Sequence, residues 1–126
     1  MYNHVFLLEE GYKMAILSFS MTKQEFLKGN KTVTRRNWSD RHFQMWESLW
    51  ERNKRVHDAW DNIPIAGGEK IGKFRLTAKP YREKLSDMPV EDLEAEGGMC
   101  SSLHDFYEYI GMSESDLVTV IRFEKL

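Results

Sequence analysis

A small mixed α+β barrel is the fold class this sequence predicts, on three observations. The segments read in order as strand, helix, strand, helix, strands, helices, strand, an alternation that does not suit a doubly wound parallel sheet. At 126 residues, with 41% hydrophobic and 30% charged side chains, the chain can bury one core and make one domain. No internal repeat, low-complexity run or linker divides it.

Residues 1–13 look unlike the rest. Met14 opens a clean strand, and Glu9-Glu10-Gly11 stands where the codons of a ribosome-binding site would fall if read through. The expectation is a non-native extension over 1–13 and a single domain over 14–126; an intact Met1 or Tyr2 peptide from the native locus would refute it. Met14 to Ser20 is a strand with Ala15, Leu17 and Phe19 on one face. A short helix follows, with Thr22 and Glu25 as a capping box, Met21 and Phe26 as a hydrophobic staple, and Gly29 at the left-handed position that ends it. Thr32 to Arg36 is the next strand. Thr34 and Arg36 share the face of Thr32, while Val33 and Arg35 take the other. Lys31 lies in the turn, so strand parity does not fix its direction.

Ser39 to Trp60 is expected as one amphipathic helix, with Ser39 as its cap, Trp38 and Phe43 as a second staple, and an apolar stripe through Trp46, Leu49, Trp50, Val56 and Trp60. All four tryptophans lie between 38 and 60. They suit a stacking platform for bases, interleaved with Arg52, Lys54 and Arg55, or a stripe docked on the barrel. Their restriction to one stripe favours docking, with Trp38, beside the basic strand, as the exception. Asn62 to Gly68 is a loop. Lys70 to Leu85 is a long strand or hairpin arm, with Phe74, Leu76 and Ala78 facing one way and Pro80 marking an edge or bulge. Pro89 starts a short helix, with Glu91 and Asp92 in its first turn, that stops at Gly97-Gly98. Ser102 and Asp105 cap another, with Leu103, Phe106, Tyr107 and Ile110 as its apolar stripe. Leu117 to Glu124 closes the fold.

The net charge of −2 and pI near 6.1 argue against a general nucleic-acid coat, yet Lys23 to Arg41 holds six Lys or Arg against two acids. A local basic cluster on an acidic body suits a small anionic ligand or short RNA. Cys100 is alone, and His4, His42, His57 and His104 show no ligand spacing, so no disulfide framework, metal site or cofactor is expected. With no secretory pattern and no apolar run of membrane length, the chain reads as a cytoplasmic monomer outside the membrane.

The densest chemistry lies in Gly29-Asn30-Lys31-Thr32-Val33-Thr34-Arg35-Arg36. Lys28, Arg35 and Arg36 disfavour a further cation at Lys31, which suits it to act as a base. Thr34 is the nucleophile such a base would serve. Glu96, in the last turn of its helix and close to Glu94, sits where negative charge is disfavoured, as a proton donor requires. The plainer reading makes Lys31 a surface lysine, Thr34 a solvent-facing strand residue and Glu96 a solvated acid on a fraying helix end. Cys100 with His104 is a weaker nucleophile–base pair.

The chain resembles the ASCH domain family, a PUA-like β-barrel fold. The resemblance rests on Gly29-x-Lys31 with a following Arg, on Lys31-Thr32-Val33-Thr34, on Ile71-Gly72-Lys73-Phe74-Arg75-Leu76-Thr77 and on Val118-Thr119-Val120-Ile121-Arg122-Phe123-Glu124, and it covers residues 14–126. One branch of that family hydrolyses the amide of N4-acetylcytidine with a Lys base, a Thr nucleophile and a Glu acid. The resemblance implies those roles for Lys31, Thr34 and Glu96, with Arg35, Arg36 and Trp38 contacting the substrate. It implies a nucleoside or short RNA as ligand and no metal. Other members resemble RNA-binding modules or ribonucleases, in which the same Lys and Arg would contact phosphate or base. Two departures stand out: the tryptophan-bearing segment 38–62, absent from the compact hydrolases, and the adjacent pair Arg35-Arg36 in place of one Arg. Arg36 keeps the spacing and the face of Thr34, so the ligand role falls first to it. A third reading makes the tryptophan segment a protein-binding surface.

Overall fold

The structure, a computed structural model, describes residues 5–8 and 11–126, with the side chains described from residue 15 onward. The expected extension over 1–13 lies either outside these residues or where the backbone alone is described. Strand β1 (Val5–Leu8) pairs antiparallel with β2 (Gly11–Ser18), which starts three residues earlier than expected. Six of the seven strands among the described residues follow one another in a curled mixed sheet in the order β1-β2-β4-β5-β7-β3, where β3 is Val33–Arg36, β4 Val56–Trp60, β5 Lys70–Leu76 and β7 Leu117–Lys125. Only β2 and β4 run parallel among these pairs. A further strand, β6 (Tyr81–Lys84), pairs antiparallel with the first half of β7, while β5 pairs with its end. The expected long arm from Lys70 to Leu85 thus runs along β7 in two pieces. They break near Pro80, which has no N–H to offer the ladder.

The largest correction concerns the expected helix over Ser39–Trp60. Helix α2 covers Asp40–Glu51, and Val56–Trp60 is β4, in the middle of the sheet. The helix starts as expected, with Ser39 Oγ accepting from the His42 N–H at 3.2 Å. It stops because Asn53 turns left-handed (φ +62°), letting the Asn53 N–H reach the Trp50 carbonyl at 2.9 Å and the Lys54 N–H reach Leu49 at 2.8 Å. That satisfies two carbonyls the helix end would leave orphaned. Val56 and Trp60 fall on a helical stripe by spacing, but a β-branched and aromatic five-residue run bounded by a turn suits a buried strand equally well.

Helix α1 (Lys23–Leu27) ends as its sequence predicts. Gly29 (φ +80°) donates to the Phe26 carbonyl and Asn30 donates to Glu25, each at 2.9 Å. Its start differs from expectation. The Thr22 hydroxyl makes no cap bond and Met21 lies exposed, so neither the capping box nor the staple forms. Helices α3 (Asp92–Ala95) and α4 (Leu103–Ile110) complete the set, and Ser102 Oγ caps α4 by accepting from the Asp105 N–H.

Two cores result. One joins α1 and α2 to the sheet through Phe19, Phe26, Trp46, Phe74, Ile121 and Phe123. The other holds α3 and α4 through Leu85, Leu93, Phe106, Tyr107, Val118 and Val120. Strands β3 and β7 stand between them, because alternate residues of each face opposite cores: Val33 and Val120 one way, Ile121 and Phe123 the other. Among the described residues no helix is long and apolar enough to cross a membrane, and no cluster of His, Cys, Asp and Glu suits a metal ion.

Candidate active site

Where the two cores meet at the exposed edge of β3, an open cleft of about 170 Å³ is lined by Lys31, Thr34, Arg35, Arg36 and Glu96. The β2–α1 connection, from Ser18 to Thr22, forms one wall, and Met99 with Phe106, Tyr109 and Ile110 forms the other. Three backbone features place the polar groups. The turn after Gly29 throws Lys31 inward. The Thr32 N–H donates to the Ala95 carbonyl at 2.8 Å, stitching β3 to the end of α3. The Arg36 guanidinium donates through Nη2 to the Ser18 carbonyl at 2.8 Å, tying β3 to the end of β2.

Lys31 and Glu96 meet. The Lys31 ammonium donates to Glu96 Oε1 at 3.0 Å and to the Glu96 carbonyl at 2.7 Å, at the end of α3 where carbonyls lack helical partners. Lys31 is 3% exposed and Glu96 4%, so the plainer reading of two solvated surface residues does not hold. Burial pushes the Lys31 ammonium below its ordinary value. Glu96 pulls the other way, and Arg36 and Arg35 add to the lowering. Against the expectation from its place at a helix end, Glu96 faces two cations, since Arg35 Nη1 also donates to its Oε2, at 3.2 Å.

Thr34 and Arg36 share a face, as the strand parity predicts: Arg36 Nε donates to Thr34 Oγ1 at 3.0 Å. No hydrogen bond joins Lys31 to Thr34, although both line the cleft. Arg36 makes no ion pair among the described residues; its partners are the neutral oxygens of Thr34 and Ser18, and its guanidinium lies over the Phe19 ring. Burial lowers it to about 10.

Arg35 differs. Its side chain is fully buried and spans three carboxylates, donating twice to Glu83 Oε1 (3.0 and 2.8 Å), to Asp92 Oδ2 (2.6 Å) and to Glu96. Asp92 in turn accepts from Arg122, which also donates to the Tyr81 hydroxyl. With its N–H groups committed to carboxylates, Arg35 anchors Glu96 rather than facing a ligand. Trp38 lies buried in the first core, stacked on His42 (3.9 Å) and Trp46 (5.6 Å), and is not among the residues lining the cleft. Trp46 is wholly buried as well, which leaves that ring nothing to offer a partner protein. Cys100 and His104 form no pair. His104 contacts Glu108 at 3.1 Å, while burial and then Asp105 push the Cys100 thiol up, away from nucleophilic use. Sequence reasoning missed Glu83, Met21, Met99 and Tyr109 as neighbours of the site. The signal for Tyr109 was present in part, since it lies three residues beyond Phe106 on α4.

Neither a family profile nor a curated protein matches the sequence. Among solved structures the chain is similar to protein EF3133 of Enterococcus faecalis V583, assigned to DUF984, with 14% identity, 88% of this chain and 75% of that chain covered, and a TM-score of 0.60. It is also similar to an ASCH domain from Lactobacillus crispatus JV V101, with 13% identity, 87% and 77% covered, and a TM-score of 0.54. Identity at this level speaks for fold alone. The chain has an ASCH-like fold, an α+β architecture of PUA-like type with a curled mixed sheet and, among the described residues, four α-helices.

Proposed function

We propose that the cleft hydrolyses a small amide or acyl group on a nucleoside-type ligand, with Lys31 as base, Thr34 as nucleophile and Glu96 as acid. The observation that carries this reading is the buried contact of Lys31 with Glu96 at 3.0 Å, beside an open cleft that the Thr34 hydroxyl also lines. The amine and carboxylate hold one acidic proton between them. Shifting it from Lys31 to Glu96 leaves the total unchanged and yields both groups the reaction needs. The free Lys31 amine takes the Thr34 proton, and Thr34 Oγ forms a bond to the acyl carbon. Arg36 donates to the carbonyl oxygen as it becomes negative, a role suited to a cation with no carboxylate of its own. Collapse breaks the C–N bond, and the Glu96 proton goes to the leaving amine. The proton that Lys31 took from Thr34 then passes to Glu96, the freed Lys31 amine takes a proton from water as its oxygen bonds to the acyl carbon, and the bond to Thr34 Oγ breaks with Lys31 returning that proton to Thr34.

Because the reaction needs the one proton that the pair shares, the rate falls as pH rises through the Lys31 value, which burial holds below its ordinary 10.5, and Lys31→Arg, which offers no base, abolishes turnover. Thr34→Ala abolishes release of acetate from N4-acetylcytidine while an NMR titration gives unchanged affinity. Full turnover by Thr34→Ala would refute the mechanism.

A second reading, a binding module for a nucleotide or short RNA, is favoured by one observation: the Thr34 hydroxyl contacts Arg36 and not Lys31. It predicts that Thr34→Ala is silent and that Arg36→Ala weakens binding by roughly 1–3 kcal/mol.

A further inference from the structure

Three segments remote in sequence each bring an exposed apolar side chain to this one cleft. Met21 comes from the turn before α1, Met99 from the loop after α3 and Tyr109 from the end of α4; they are 60%, 37% and 40% exposed. Other exposed large apolar residues, such as Ile65, Val90 and Leu117, do not line it. Local geometry leaves room for Met99. A Cβ on Gly97 would come within 2.7 Å of the Met99 sulfur, so glycine at 97 lets Met99 lie over the helix end that carries Glu96.

The polar side of the cleft has the opposite character, with Lys31, Thr34, Arg36 and Glu96. We infer that Met21, Met99 and Tyr109 form a clamp for a flat, uncharged ring, so that the ligand is a free small molecule with a carbonyl oxygen at one end and an aryl or heteroaromatic ring at the other. Thioethers adapt to ring edges and a tyrosine ring stacks on ring faces, so this trio suits a planar group better than an acyl chain or a sugar. A nucleic-acid strand would need cations tracking its phosphates away from the reacting centre. Here Lys31 and Arg35, two of the three cations lining the cleft, are already committed to carboxylates. The volume of about 170 Å³ also suits one ring rather than successive bases. The inference rests on this cleft being the ligand site proposed above, and not on hydrolysis.

The test is an NMR titration of the full chain with acetamide, acetanilide, cytidine and hexacytidylate. Acetanilide is expected to bind about tenfold tighter than acetamide, and Met21→Ser, a surface change, to cut that preference about threefold without weakening acetamide. Hexacytidylate is expected to bind no tighter than cytidine, with little salt dependence. Equal affinity for the two amides would overturn the inference, as would tight, steeply salt-dependent oligonucleotide binding indifferent to Met21→Ser. Ring preference without turnover sinks the hydrolase reading alone; turnover without ring preference sinks this inference alone.

Discussion

Arg35 and Arg36 are neighbours on one four-residue strand, and the two faces of that strand give them opposite chemistry. Arg35 turns to the α3–α4 side, where Glu83, Asp92 and Glu96 surround it. Burial alone would lower it, but the hydrogen bonds it donates to Asp92 and Glu83 outweigh that and hold it above its ordinary value. Arg36 turns to the cleft, finds only neutral oxygens, and burial carries it down. Four cations in this network (Lys31, Arg35, Arg36, Arg122) meet three carboxylates, and the cation left over is the one that lines the opening without an ion pair. A guanidinium enclosed by acids is part of the frame. One left without an acid beside a cleft is available to a ligand or to a charge that develops during reaction.

The largest effect expected from breaking this contrast is on stability at Arg35. Arg35→Ala leaves three carboxylates facing one another with their shared cation gone, a loss of about 3–5 kcal/mol. Urea unfolding would measure it, and a loss under about 1 kcal/mol would contradict the framing role. Arg36→Ala should do the reverse, changing the unfolding midpoint little while lowering turnover about 10²–10³-fold, the range for loss of an oxyanion donor. Steady-state rates with stability measured on the same sample would separate the two arginines.

His57 provides a buried cation-forming group away from the cleft. Its Nδ1 accepts from the Ala15 N–H at 2.9 Å and its Nε2–H donates to the Lys54 carbonyl at 2.8 Å, so the neutral ring links β2 to the turn before β4. Burial lowers it from 6.5 to about 4. The unfolded chain therefore takes the proton first. Stability from this group is complete above about pH 6.5, falls as pH drops from there to about 4, and is then fully lost, on the order of 3 kcal/mol in total. Thermal unfolding followed from pH 7.5 to 4.5 should show the decline, and a flat curve over that window would show that His57 does not carry it.

The contrast between the arginines was half legible in the sequence. Strand parity placed Thr34 with Arg36 and set Arg35 apart, because a two-residue period is local. It did not show that Arg35 faces carboxylates, since Glu83, Asp92 and Glu96 arrive from 48, 57 and 61 residues away. Trp38 misled for the same reason: proximity to a basic strand in sequence says nothing about which core takes the ring. The helix ends were the best-read features, since Gly29 and Gly97-Gly98 stop their helices through bonds within one turn. Asn53 uses the same device without glycine, so the sequence alone reads as a helix continuing through the residues of β4.

The smallest effect sharpens the comparison from the far end of the network. Arg122 is partly exposed and holds Asp92 through bonds of 3.2 and 2.7 Å. Burial would raise the Asp92 carboxyl, but hydrogen bonds from Arg122 and then Arg35 outweigh it and hold the group below its ordinary 3.8. Its contribution to stability is thus present above about pH 3.8 and lost as pH falls below, a window under that of His57. Arg122→Gln should cost about 1 kcal/mol, since solvent screens the outer guanidinium and Arg35 remains on Asp92. Turnover should be unchanged, because Arg35 still fixes Glu96. If Arg122→Gln lowered turnover as much as Arg36→Ala, the division of β3 into a framing face and a working face would be wrong, and the ion network would act on the cleft as a single unit.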